Sequence, residues 1–168
     1  MKNRLAREWF DGMGEITRFP MARELRKADV RQHLTAEVAA QGQEIARLYG
    51  PIDWKQLQRL LNDRRFVRYP CELRFEADPL LPGEFAHPVL KGRTPEEGYI
   101  LYLHPHYAGQ LPSVPYLVLH QLVLINFGES ATAEDAETFG ALALGLPKES
   151  YFRALCELSD QIGGDELP

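Results

Sequence analysis

Residues 120–128 read HQLVLINFG. A zinc hydrolase of the H-E-x-x-H type needs two imidazoles four residues apart on one helical face, so that both reach one ion. The glutamate beside the first histidine takes a proton from the metal-bound water, whose pKa the metal lowers toward neutrality. Here His120 stands at the first histidine, Gln121 at the glutamate and Leu124 at the second histidine. An amide has no useful basicity, and leucine binds no metal. On these residues alone His120 reads as a lone histidine, hydrogen-bonded inside an apolar helix.

A second set of donors lies nearby in sequence. HPHY at 104–107 would put His104 and His106 on the same side of a strand. Those two imidazoles, His120 and an acid from 134–137 could rebuild a metal site, although Pro105 works against the strand geometry. Glu134, Asp135 and Glu137 also have a plain structural reading, because acids in the first turn of a helix suit its dipole. His33 and His87 have no partner in sequence and read as surface or turn residues. Cys71, beside Pro70, reads as a small buried apolar residue. Trp9, Phe10 and Phe19 are apolar enough to dock, either on the chain itself or on a partner.

The elements that must position these groups follow from periodicity and punctuation. Residues 1–20 read as an arm, because Gly12, Gly14 and Pro20 interrupt any helix. From Met21 to Tyr49 apolar residues recur at helical steps, and Gly50-Pro51 ends the pattern. IDWKQLQRLLNDRRF predicts a short helix with Asp53 as its N-cap and Trp54, Leu57, Leu60 and Leu61 on one face. VRYPCELRFEA alternates as a strand that Pro70 confines to an edge or splits. DPLLPGEFAHP is turn-rich, with room for a short strand around Phe85. GYILYLHPHY predicts a strong strand ended by Pro105.

PYLVLHQLVLINFG then predicts a helix apolar on nearly every face, hence buried, and Gly128 stops it. Thr132 with Asp135 fits a capping box, and Pro147 closes that helix. KESYFRALCELSDQIGG predicts a last amphipathic helix through Tyr151, Phe152, Leu155 and Leu158, before a frayed tail at 163–168. The expected fold is α+β: N-terminal helices, a small mostly antiparallel sheet, a buried motif helix and C-terminal helices. The expected division is an arm at 1–20, one domain at 21–162 and the tail.

Bulk composition narrows the classes. A chain of 168 residues with 45% hydrophobic and 26% charged residues is ordinary for one soluble domain. Two cysteines without C-x-x-C spacing argue against a disulfide framework or a thiolate cluster. The N-terminus lacks the apolar core of a signal peptide, and no apolar run is expected to span a membrane, so a cytoplasmic location is expected. Charge is uneven: residues 1–74 hold 15 Lys and Arg against 10 Asp and Glu, whereas residues 75–168 hold 4 against 14. Such polarity suits an acidic partner on the N-terminal part, or a solvated helix surface. No aromatic-interleaved basic patch supports nucleic-acid binding.

The order AAQGQEIARLYG, PIDWKQLQRLL, strand-like segments, GYILYLHP, YLVLHQLVLINFG and EDAETFGALALGLP resembles the ImmA/IrrE-type metallopeptidases over about two thirds of the chain. The resemblance implies a zincin-like fold. It places His120 as first zinc ligand, Gln121 at the catalytic base, Leu124 at the second ligand, and Glu134 or Asp135 as the acidic ligand. The His120–Glu134 gap is short for that family, and its usual asparagine place holds Glu137.

The first reading is therefore a degenerate, non-proteolytic domain without a cofactor, acting on a protein partner such as a transcriptional regulator. The second is a zinc-dependent hydrolase with rewired ligands His104, His106, His120 and an acid. The third is a structural or homodimerising domain held through the N-terminal arm.

Overall fold

The computed structural model describes the backbone of residues 2–163 and the side chains of residues 26–163. Trp9, Phe10 and Phe19, as side chains, and the tail beyond Gly163 lie outside the described residues. The chain divides into two compact units, residues 1–36 and 37–168. Among the described residues the protein is α+β, with five α-helices and one three-stranded sheet.

Helix α1 spans Lys2–Tyr49, its residues up to 36 forming the first unit. Helical backbone runs through Gly12, Gly14 and Pro20, where an interrupted arm is expected from sequence. Intrinsic propensity is a weak prior, and the strong helix formers on both sides outweigh these residues. In the second unit, the apolar positions Val38 and Ile45 of α1 are fully buried. Gly42 lies between them for a reason of space. A methyl built there would stand 2.9 Å from the Leu142 Cβ and 3.0 Å from the Phe139 carbonyl oxygen. Helix α1 ends as expected at Gly50, whose φ of +64° suits glycine.

Helix α2, Trp54–Leu61, starts on Asp53, whose carboxylate accepts from the Gln56 N–H at 2.8 Å. Leu57, Leu60 and Leu61 are buried, as their spacing requires. The sheet has the order β1-β3-β2. Strand β1, Cys71–Phe75, begins directly after Pro70 and lies at an edge, where a proline is tolerated. Strand β2, Ala86–Leu90, forms the other edge and includes Pro88.

The central strand β3, Tyr99–Leu103, pairs parallel with β1 and antiparallel with β2. The sheet is thus mixed rather than mostly antiparallel. Alternation in sequence identifies strands but does not state their order, and here β2 pairs with the outer side of β3 instead of with β1. Leu101 and Leu103 of β3 are fully buried, one residue in two, so one sheet face meets the core.

Helix α3, Val114–Phe127, is the centre of that core and packs against β2, α2, α4 and α5. It is buried on nearly every face, and Gly128 at φ +61° ends it. The stretch Leu111–Ser130, 20 residues holding an 18-residue window of mean hydropathy 1.3, is long and apolar enough to cross a membrane, contrary to expectation, and 56% of that window is buried inside the protein. A core helix of a globular protein meets the same criterion.

Helix α4, Ala133–Leu144, carries the expected capping box between Thr132 and Asp135. Helix α5, Lys148–Gly163, buries Tyr151, Leu155, Leu158 and Ile162. Phe152 is instead 49% exposed, because it falls one position off that i, i+4, i+7 stripe. Tyr151 is fully buried, stacks on Tyr116 at 6.0 Å and donates its hydroxyl to the Tyr116 carbonyl at 2.7 Å. Tyr107, also fully buried, donates to the Leu158 carbonyl at 2.6 Å and ties the end of β3 to α5.

Candidate functional site

Helix α3 presents His120, Gln121 and Leu124 from the middle of the core. The His120 ring is half-buried and meets Phe85 edge-on, with centroids 5.9 Å apart. Its Nδ1 is buried with no hydrogen-bond partner, so the expected satisfied histidine is corrected to an orphaned one. Burial holds its pKa below the ordinary 6.5, because the charged imidazolium loses its hydration there. Gln121 is 6% exposed and lies in the core, and Leu124 is half-buried beside it.

Two acids of α4 are committed elsewhere. Glu134 is exposed and pairs with Lys148 at 3.0 Å. Asp135 is buried, but its Oδ2 accepts from the Thr132 N–H at 2.9 Å and the Thr132 hydroxyl at 3.0 Å. Glu137 is half-buried near Tyr151, whose hydroxyl pKa it helps burial to raise.

His104 and His106 do not share a strand face. Strand β3 stops at Leu103, and Pro105 begins a 3-10 turn, Pro105–Gly109. Proline has no N–H to continue the ladder, so the H-x-H spacing enters a helical turn. His104 caps that turn by accepting from the His106 N–H at 3.2 Å. The His106 ring reaches Gln161 at 2.9 Å and Gln110 at 3.0 Å, which places it at the surface against α5. His33 is exposed, and His87 lies on β2 next to Glu84 at 3.1 Å.

Among the described residues no group of three or more His, Cys, Asp or Glu side chains comes together to hold a metal ion. The set implied by resemblance comprises one imidazole, an amide, a leucine, a lysine-paired glutamate and a cap aspartate. The orphaned Nδ1 of His120 would accept a Lewis acid, but the second and third donors that zinc needs are not supplied with it. These residues do not fit a zinc ion.

Two further features escape sequence reasoning. An aromatic groove of about 590 Å3 opens between the start of α2 and the start of α3, lined by Trp54, Pro112 and Tyr116. The other is Asn126, a second buried amide, after Gln121, in a largely apolar helix. It accepts from the Arg68 N–H at 2.9 Å and donates to the Phe66 carbonyl at 2.7 Å. A polar residue in so apolar a segment was the one available signal, since a buried amide must find partners.

No protein-family model, curated protein or solved structure matches this chain.

Proposed function

We propose that this chain is a non-proteolytic interaction domain, a degenerate relative of zincin-like metallopeptidases that acts on a protein partner in the cytoplasm. The observation that carries the reading is Gln121: the residue at the base position is an amide and is only 6% exposed. A general base must reach both a water and the substrate, and a neutral amide packed in a core does neither. Leu124 removes the second ligand from the same helix, and the two acids the resemblance offers as ligands, Asp135 and Glu134, are engaged in a cap and a surface ion pair. A transcriptional regulator is the partner class that the resemblance implies.

The test combines metal content with hydrolysis. Purified chain is assayed by elemental analysis and incubated with an unstructured protein substrate, with and without chelator. Sub-stoichiometric zinc and no chelator-sensitive cleavage are expected. Chelator-sensitive cleavage by the wild-type chain, lost in His120→Ala, would overturn the proposal in favour of a rewired hydrolase.

A further inference from the structure

The turn between α2 and β1 reads DRRFVRYP and holds three arginines in five residues. Asp63 neutralises one of them: Arg65 donates to it at 3.0 and 2.7 Å and holds its carboxyl far below the usual range, while the Tyr49 hydroxyl donates at 2.7 Å. Arg64 and Arg68 have no carboxylate partner among the described residues. Arg64 reaches only the Val67 carbonyl, at 3.3 Å, and Arg68 lies over the Tyr69 ring at 5.4 Å.

Both arginines line a cleft of about 250 Å3 that also borders α1 and the end of α3. Both polar atoms of Asn126 hold the cleft's backbone in place at Phe66 and Arg68. Within the cleft wall the Gln41 Oε1 is buried without a partner. A buried acceptor without a partner costs stability, so this atom is suited to a donor brought by a ligand.

We infer that this cleft takes an acidic peptide segment of a protein partner, its side-chain carboxylate between Arg64 and Arg68 and a peptide N–H on the Gln41 Oε1. Arginine forks match carboxylate geometry. Glu37 on the same rim adds a negative charge that penalises a phosphate dianion more than a carboxylate. The cleft volume matches a single side chain. Within the same unit, residues 37–74 hold seven Lys and Arg against five Asp and Glu, a basic balance that would steer an acidic segment toward it. The inference rests on the chain being an interaction domain, and not on the metallopeptidase resemblance.

The experiment is fluorescence polarisation of the full chain with a labelled short peptide alternating Glu and Gly. Saturable, salt-sensitive binding is expected. Arg64→Ala with Arg68→Ala should weaken it at least about tenfold, and Gln41→Leu about threefold, from the usual worth of charged and neutral hydrogen bonds. Arg153→Ala, which removes one arginine charge from the exposed face of α5, should leave affinity unchanged. Circular dichroism melts check that each variant folds.

Equal binding of a control peptide alternating Gln and Gly, or an unaffected double arginine variant, overturns the inference. So does tighter binding of a phosphoserine peptide or an oligonucleotide. Concentration-dependent self-association that the arginine substitutions abolish would overturn it too, by making the acidic half of a second copy the occupant. Any of these failures leaves the non-proteolytic reading standing, whereas chelator-sensitive hydrolysis removes that reading whatever the peptide does.

Discussion

The His120 imidazole meets the Phe85 ring edge-on, at 5.9 Å and 72° between planes, with its Nδ1 buried and unpartnered. Such a site favours the neutral ring, so the native pKa lies below the ordinary 6.5. The sign follows: between the two values the unfolded chain binds more protons than the native one. The stability contribution of the neutral ring is full above 6.5 and is lost as pH falls through the native pKa. The slope cannot exceed about 1.4 kcal/mol per pH unit for one group. His120→Phe should remove this component, so that the wild-type urea midpoint falls relative to the variant's as pH drops from 6.5 through the native pKa. A midpoint difference independent of pH would show that the imidazole titrates as if free.

Gln121→Glu bears on the same helix from the opposite direction. In a working hydrolase this change would install the base. Here it places a carboxylate at a site 6% exposed, among apolar neighbours of α3. An unpaired buried charge costs several kcal/mol or drives the carboxyl to stay protonated. The variant should melt well below wild type at neutral pH and recover part of the loss at acid pH, without gaining zinc. An unchanged melting temperature with stoichiometric zinc would sink the claim that this position is core.

What sequence made legible was mostly local. Asp53 and Thr132 announced their helices because a cap and its partner N–H lie within three residues. The burial of α3 followed from its composition alone. The mixed sheet was not legible, because pairing of Cys71–Phe75 with Tyr99–Leu103 depends on chain partners far apart. The His104 and His106 strand failed at Pro105, a residue whose effect was written in the sequence. The cleft at Arg64 and Arg68 was invisible for the same reason as the sheet: Gln41, Arg68 and Asn126 meet only through packing.

Gly42 sets a packing limit between α1 and α4. Ala in place of Gly inside a helix ordinarily gains up to about 1 kcal/mol. Here the added methyl would meet the Leu142 Cβ at 2.9 Å, and overpacking of a tight core costs about 1–3 kcal/mol. The Cβ of Leu142 cannot swing away as a side-chain tip could. The overpacking cost exceeds the gain in helix propensity, so Gly42→Ala should lower the urea midpoint. A raised midpoint would mean that α1 moves off α4 without penalty.

The two cysteines should separate cleanly by reactivity. Cys71 opens β1 in a half-buried position, and burial pushes its thiol up to about 12 despite the nearby Lys91. Thiolate is the reactive form, so at neutral pH this group is almost wholly unreactive. Cys156 is exposed on α5. An aromatic disulfide reagent should therefore label one thiol quickly in the native chain and the second only on unfolding. Cys156→Ser should abolish the fast phase and leave the slow one, whose rate then reports opening of the β1 edge. Fast labelling of Cys71 in that variant would show that the edge strand does not shield its thiol.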